Sequence, residues 1–160
     1  MTGFRYGHAA AADWRDAARS CLGQLGAGPA TLGFLYVTDM LADHANNILA
    51  LFRQETGVEH WVGTVGIGIC ATAREYHDEP AIAVMVGDFE PGSFCVFSGV
   101  DDEGDAIAAK LRCGATNANF AIVHADPHNR KVVDLVGQLA ECVDSGFLVG
   151  GLASSRRQTL

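Results

Sequence analysis

Residues 33–66 decide the fold, and they read GFLYVTDMLADHANNILALFRQETGVEHWVGTVG. The aromatic and β-branched residues at 34–37 predict a strand that ends just before Asp39. Residues 45–52 then place apolar side chains at i, i+3, i+4 and i+7, which is the spacing of an amphipathic helix. The apolar run at 60–65 predicts a second strand. The segment therefore predicts a strand–helix–strand unit.

A second segment, residues 120–153, has the same order and reads FAIVHADPHNRKVVDLVGQLAECVDSGFLVGGLA. The two segments align without a gap, so that Asp39 falls on Asp126. Apolar residues again recur at helical spacing, at 132–139. Few residues are identical, so shared physics and gene duplication both explain the likeness. The chain therefore predicts two strand–helix–strand units.

The strands of both units are near-continuous apolar runs, which are typical of parallel strands covered by helices on both faces. Residues 81–88 and 93–98 predict two further strands, and the turn signal at 90–92 predicts that they form a hairpin. The predicted fold class is α/β. We expect a layered domain with a central, largely parallel or mixed sheet, built from two βαβ units plus a hairpin, with helices covering the sheet.

The length of 160 residues is that of one domain, and we expect a single α/β domain over residues 1–160. Residues 1–12 are alanine-rich and predict a poorly ordered lead-in. Helical apolar spacing predicts a covering helix at 14–25 and a short helix at 101–111. The ending at Leu160 resembles no finished element, so we expect truncation before a C-terminal domain.

The composition argues against several classes of protein. The formal net charge is −8, which disfavours nucleic acid or an anionic membrane as a partner. No apolar run approaches the ~20 residues of a membrane span, and the first residues lack the pattern of a secretory signal. Five cysteines, an odd number without paired spacing, suit a reducing compartment. We therefore expect a cytoplasmic protein without membrane insertion or nucleic-acid binding.

Four predicted strands end in polar or glycine-rich residues. In open α/β sheets, ligands bind outside the carboxyl ends of parallel strands. If the four strands are parallel in one sheet, their ends converge on one edge, where backbone N–H groups and a few side chains would suit a small polar ligand. The predicted ligand-binding residues are Thr38, Asp39, Gly66, Gly68, His124, Asp126, Gly151 and Ser154.

The cluster at residues 124–128 has two interpretations. His124, Asp126 and His128 are metal-ligand types, and at a strand end they would lie close together. Asp126 followed by proline is also the pattern of a helix N-cap with proline at the first helical position. Capping is the simpler interpretation, and it applies equally to Asp39, so no metal site is predicted.

Two further motifs carry weaker signals for chemistry. The glycines at 63–68 would cradle a phosphate only if a helix began directly after them, and no such helix is predicted. A tight turn or a close backbone approach explains them better. Cys70 could act as a nucleophile with His124 or His77 as base, but free cysteines are usually buried small apolar residues. No catalytic residue is therefore predicted.

Several stretches together resemble the N-terminal half of the FIST sensory domain, a family found in bacterial signalling proteins and in some eukaryotic F-box proteins. They are the helix at 14–25, the strand Gly-Phe-Leu-Tyr-Val at 33–37, the passage Trp-Val-Gly-Thr at 61–64 and the closing Phe-Leu-Val-Gly-Gly-Leu-Ala-Ser at 147–154. Together they span most of the chain.

The resemblance implies a function as well as a fold. It implies a ligand-sensing, signal-transduction domain that binds a small polar metabolite, such as an amino acid, without catalysis or a cofactor. It also implies a C-terminal FIST-type domain or a signalling protein as partner. Family members continue the first glycine turn with a small hydroxyl residue and an acidic residue. This chain has Val65 and Gly68 instead, so no polar contact is carried over there.

Two other functions stay open. An enzyme would use Asp39, His124 and Asp126, with Cys70, at the same edge, and it predicts perturbed protonation and mutual hydrogen bonds among them. An interaction scaffold predicts instead an exposed apolar patch of roughly several hundred Å² and no pocket at the edge.

Overall fold

The computed structural model describes residues 3–98, 112–113, 116–145 and 147–155. The chain divides into two compact units. Unit 1 comprises residues 1–89 and 154–160, and unit 2 comprises residues 90–153. Each unit contains its own parallel strand pair. The single domain expected over the whole chain stays a prediction.

Unit 1 is built on a four-stranded mixed sheet. Strands β2 (Leu32–Thr38) and β3 (His60–Gly66) run parallel at one side of it. Strand β6 (Ala81–Gly87) pairs antiparallel with β2, and β1 (Arg5–Ala10) pairs antiparallel with β6. The strand order is therefore β1-β6-β2-β3. The predicted α/β class with a mixed sheet is confirmed.

Two helices cover one face of this sheet. Helix α1 (Trp14–Leu25) begins after Asp13, whose carboxylate accepts a hydrogen bond from the backbone amide two residues later at 2.8 Å. Helix α2 (Ala45–Thr56) follows a short 3-10 helix at residues 39–44. It ends at Gly57, whose φ of 69° is the left-handed conformation common after helices. Both helices lie where apolar spacing predicted them.

The core of unit 1 lies between this sheet face and the two helices. Cys21 of α1 is fully buried, and its Sγ donates a hydrogen bond to the Ile82 carbonyl oxygen at 3.6 Å. Burial raises the pKa of the Cys21 thiol to about 12. Other large residues of this core include Trp14, Leu25, Leu35, Val37, Ile48, Phe52, Trp61, Val84 and Val86.

The opposite face of the sheet carries a hairpin. Strands β4 (Gly68–Ala71) and β5 (Arg74–His77) pair antiparallel through a two-residue turn. Tyr76 is buried in a small cluster with residues of β6 whose side chains alternate with those facing the helices. The other residues of β5 are exposed.

Unit 2 contains a two-stranded parallel sheet. Strand β9 (Phe120–Ala125) leads into helix α3 (Val132–Cys142) and then into β10 (Phe147–Leu152), which pairs in parallel with β9. Leu135 and Leu139 of α3 are buried in the core of this unit. The other described strands of unit 2 are β7 (Arg112–Cys113) and β8 (Thr116–Asn117), which pair antiparallel.

The two strand–helix–strand units begin their helices at aligned positions. Their strand registers differ by one residue. Gly63 lies opposite Leu35, whereas its aligned counterpart Gly150 lies opposite Val123, one residue further along. A Cβ at either glycine would collide with the carbonyl oxygen of the opposite residue, so both positions require glycine. Both segments form the expected unit, while a duplication origin stays a prediction.

Three predictions about the sheet were wrong. The lead-in was predicted to be poorly ordered, but its residues Arg5–Ala10 form β1. Residues 93–98 form no strand, since the turn at 90–92 is present but β1 and β2 already pair with the two edges of β6. The two βαβ units lie in separate sheets rather than in one. The predicted helix at 101–111 lies outside the described residues.

Candidate ligand site at the strand ends

The parallel pair of unit 1 ends where the sequence predicted ligand-binding residues. Thr38 and Gly66 are the last residues of β2 and β3, and they lie opposite each other. Asp39 follows β2 directly, and Gly68 begins β4. The Ser154 Oγ accepts a hydrogen bond from the amide between the two glycines at 3.1 Å. We call these five residues the unit 1 edge.

Thr38 is held by the backbone of its own unit. Its hydroxyl donates a hydrogen bond to the Glu79 carbonyl oxygen at 2.8 Å and accepts one from the Ala81 amide at 2.8 Å. The residue is fully buried. Its hydroxyl therefore fastens the end of β2 to the start of β6, so that Thr38 positions the edge.

Asp39 is the buried acidic residue of this edge, with only 4% of its surface exposed. It is the first residue of the 3-10 helix, whose N-cap is Thr38, and α2 begins only at Ala45. Asp39 is therefore not the N-cap that its place before a helix suggested. Burying a carboxylate is unfavourable unless cations or hydrogen-bond donors face it. Within the edge, Asp39 is the side chain suited to hold a cationic or N–H group.

The two glycines of the edge are required by the chain itself. A Cβ on Gly66 would lie 2.9 Å from the Gly68 carbonyl oxygen and 3.1 Å from the Ser154 Oγ. A Cβ on Gly68 would lie 2.8 Å from the Tyr76 carbonyl oxygen. The close backbone approach predicted for this glycine stretch is confirmed. Glycine is needed here because β3 bends sharply into β4.

The parallel pair of unit 2 ends in three other predicted residues. His124 lies opposite Gly151, and Asp126 directly follows β9. Burial lowers the pKa of the His124 imidazole, which favours its neutral form. We call these three residues the unit 2 edge.

The Asp126 carboxylate is occupied by a residue two positions later. It accepts a hydrogen bond from the His128 amide at 2.8 Å and lies 2.9 Å from the Nδ1 of the same residue. The backbone hydrogen bond first, and the side-chain one second, hold the pKa of Asp126 below its ordinary value. Helix α3 begins only at Val132, so Asp126 stabilises a local turn and is not the expected N-cap. Its use by His128 weakens the enzyme alternative.

The predicted edge of four strands is not one edge of one sheet. Strands β2 and β3 belong to the sheet of unit 1, and β9 and β10 form a separate sheet. An apolar strand pattern predicts burial but does not specify the neighbouring strand. The structure therefore brings the predicted residues together in two groups, the unit 1 edge and the unit 2 edge.

The histidines, acidic residues and cysteines of the chain were the candidates for metal binding and for thiol chemistry. Within the described ranges, no three His, Cys, Asp or Glu side chains are placed to hold a metal ion. Cys70 is a free, exposed thiol on β4, opposite Glu75. Cys142 is free and half-buried, whereas Cys95 is disulfide-bonded. The bonded Cys95 differs from the unpaired cysteines that the sequence suggested.

Unit 2 exposes large apolar side chains. The rings of Phe120 and Phe147 stack with centroids 5.7 Å apart, and the two residues are 48% and 60% exposed. An open groove of about 460 Å³ in the same unit has a mainly apolar lining, formed by Val123, Ala125, Val136, Leu148, Val149, Gly150, Gly151 and Leu152. Exposed apolar surface is what the scaffold alternative predicted, but that alternative also predicted no pocket at the strand ends, and Gly151 of the unit 2 edge lines this groove.

Tyr76 is the residue near the unit 1 edge that the sequence analysis missed. Its hydroxyl oxygen lies 2.6 Å from the Nδ1 of His8 in a hydrogen bond, and the Arg74 guanidinium lies 4.5 Å from its ring centre. Burial raises the pKa of the Tyr76 hydroxyl. The sequence at 69–76 reads ICATAREY and shows no regular alternation of apolar and polar residues, so the signal for this hairpin is weak.

Comparison with known proteins gives the family of the chain. A sequence profile described as the FIST N domain matches residues 31–160. No curated protein and no solved structure matches the chain. In the part of the chain that the structure describes, no helix has the length and apolar character needed to cross a membrane. Since the match covers most of its length, the chain belongs to the FIST N domain family, whose members are generally sensory domains of signal transduction.

Proposed function

We propose that this chain is a ligand-sensing domain that binds a small polar metabolite at the unit 1 edge and passes the bound state to a partner without catalysis. The observation that carries the proposal is the position of Asp39, a residue that is 4% exposed and directly follows the end of a parallel strand pair. Ligands of open α/β sheets bind at such ends. Membership of a sensory family supports the same function.

The chemistry of the unit 1 edge favours a ligand with an amino group. A buried carboxylate is stabilised by a facing cation and by hydrogen-bond donors. Charge-assisted hydrogen bonds are short, so an ammonium group beside Asp39 would orient the ligand as well as bind it. Amino acids carry this group, and they are therefore the first compounds to test.

The other predicted residues have supporting parts in this proposal. Thr38 fixes the end of β2, the two glycines bring backbone close to the edge, and Ser154 adds a hydroxyl. His124, Asp126 and Gly151 of the unit 2 edge stay predicted ligand-binding residues. The proposed partner is a signalling protein or a C-terminal FIST-type domain in the cytoplasm, and no cofactor is part of the proposal.

A thermal-shift screen of the proteinogenic amino acids, followed by calorimetric titration of the best compound, tests this function. A ligand at about 100 times its dissociation constant adds about 2.7 kcal/mol to the free energy of unfolding. Asp39→Asn keeps the shape of the side chain but removes its charge, and we expect affinity to fall at least about tenfold.

Asp16→Asn is the matched control, because Asp16 is an exposed carboxylate in the first turn of α1. Its affinity should equal that of the unchanged chain. Circular dichroism verifies that both variants fold. Absence of stabilisation by every amino acid, or equal affinity in Asp39→Asn, contradicts the proposal.

A further inference from the structure

The β4–β5 hairpin contributes only two buried side chains to its contact with the rest of unit 1. Ile69 and Tyr76 are its buried side chains, and the hydroxyl of Tyr76 is bonded to His8 at 2.6 Å. They pack against Tyr36 of β2 and against three small residues of unit 1, Ala10, Ala81 and Ala83. Strand β2, in contrast, is hydrogen-bonded along both of its sides. Segments with few buried apolar contacts open at lower free energy than a core strand does.

Both ends of β5 carry backbone in the left-handed region. Ala73 has φ 60° and Asp78 has φ 54°. Residues other than glycine rarely adopt this region, because the Cβ approaches the following carbonyl oxygen. Such conformations persist only while the surrounding contacts hold them. Release of the hairpin as a unit keeps the turn at Ala73 but frees the backbone at Asp78, and relief of the strain at Asp78 favours a second, released state.

The hairpin starts at the unit 1 edge. Strand β3 ends at Gly66 and β4 begins at Gly68, so Gly68 belongs to both the edge and the hairpin, and Ile67 links it to Gly66. The Ser154 Oγ holds the Ile67 amide at 3.1 Å. Gly66 lies opposite Thr38. A movement of the backbone at Thr38 or Gly66 would therefore reach the hairpin through Ile67.

We propose that the β4–β5 hairpin is a switch that opens as a unit, and that the hydrogen bond between Ser154 and Ile67 holds it in the docked form. A ligand that binds the docked and released forms unequally shifts the population between them. Control by a ligand rests on the proposed function, whereas opening of the hairpin and its dependence on Ser154 do not.

Hydrogen exchange followed by mass spectrometry on the full chain tests the switch. We expect peptides from residues 68–77 to exchange at least about tenfold faster than peptides from β2. Ser154→Ala and Tyr76→Phe each remove one hydrogen bond, and each should accelerate hairpin exchange about fivefold without changing β2. Tyr6→Phe is the control, because Tyr6 is an exposed tyrosine of β1, and it should change neither rate.

Hairpin exchange at the rate of β2, or hairpin exchange that Ser154→Ala leaves unchanged, overturns the switch. Ser154 is exposed, so its variant still gives an answer if Tyr76→Phe fails to fold. The measurement is repeated with the amino acid that gives the largest thermal shift. An amino acid that stabilises the chain without altering hairpin exchange overturns control of the switch by that ligand and leaves the proposed function standing. If no amino acid stabilises the chain but Ser154→Ala still releases the hairpin, the proposed function fails and the switch stands.

Discussion

The two strand–helix–strand units of this protein differ in what surrounds them. Ile48 of α2 and the aligned Leu135 of α3 are both buried. Unit 1 adds α1, two antiparallel strands and a hairpin around its parallel pair, whereas the pair in unit 2 exposes Phe120 and Phe147. Helical spacing alone therefore determines which side of a helix is buried. Burial of the strands depends on elements outside the repeated segment.

The aligned aspartates show the same difference in chemistry. Asp39 is 4% exposed. The side chain of Asp126 is 54% exposed and accepts local hydrogen bonds. One residue type at one position of the motif is thus a buried carboxylate in unit 1 and a turn-forming carboxylate in unit 2. Surroundings, more than position in the motif, set the role of the side chain.

The largest expected effect comes from truncating the aligned core residues. Ile48→Ala should lower the free energy of unfolding by about 4 kcal/mol, because its tightly packed site keeps the cavity. Leu135→Ala removes a side chain of similar size and should cost about 2 kcal/mol, since the more exposed unit 2 can relax around it. Urea unfolding of both variants measures the difference. Equal losses would show that the two cores are equally tight.

The next largest loss of stability is expected at the C-terminal end of α1, which a distant arginine holds. The Arg5 guanidinium donates hydrogen bonds to the Gly26 and Gly28 carbonyl oxygens at 2.8 and 2.7 Å, and also to those of Leu25 and Pro29. Arg5→Met keeps the apolar stem but loses these donors, and it should destabilise unit 1 by about 2 kcal/mol. Arg53→Met, an exposed change in α2, should cost at most about 0.5 kcal/mol. Similar losses would argue against a specific role for Arg5.

A glycine in α3 allows unit 2 to be made more like unit 1. Gly137 aligns with Ala50 of α2, and a Cβ at Gly137 would meet no atom within 4 Å. Gly137→Ala should therefore stabilise the chain by about 1 kcal/mol through helix propensity. The reciprocal Ala50→Gly should destabilise it by a similar amount. Calorimetric unfolding of the two variants measures both changes in stability. A loss of stability in Gly137→Ala would contradict the open space around Gly137.

The smallest expected effect is on stability at low pH. The hydrogen bonds from His128 lower the pKa of Asp126 in the folded chain. Their stabilisation is therefore fully present above the unfolded pKa and is lost as pH falls through the lowered folded value. An NMR titration of the Asp126 carboxyl carbon should give a midpoint below the ordinary ~3.9. His128→Ala removes the imidazole but keeps the backbone amide, so it should move the midpoint upward only in part, and an unchanged midpoint would exclude the His128 side chain as a cause.

The local apolar pattern of the sequence predicted the helices better than it predicted which strands pair. The apolar spacing of α1 and α2 was sufficient to place both helices. Strand β1 gave little signal, because Gly7 and Ala9, which face α1, are small. The apolar run of β6 fits several partners equally well, so its pairing with β1 and β2 depended on long-range packing.

The candidate site was predictable to the same extent. Asp39 and Gly66 were identified from their places at strand ends. The burial of Asp39 was not predictable, because it depends on how the 3-10 helix and the sheet pack. The hairpin was missed because alanine, cysteine and charged residues leave it without a regular alternation.

The thiols of unit 1 have a practical consequence for labelling. The thiolate is the reactive form of cysteine, and the buried thiol of Cys21, with its pKa raised to about 12, does not supply it near neutral pH. Cys70 is exposed, and it lies on the hairpin. A maleimide reagent should therefore modify Cys70 and spare Cys21. The protein thus carries a native attachment point for a fluorophore or spin label on the segment whose movement would report signalling.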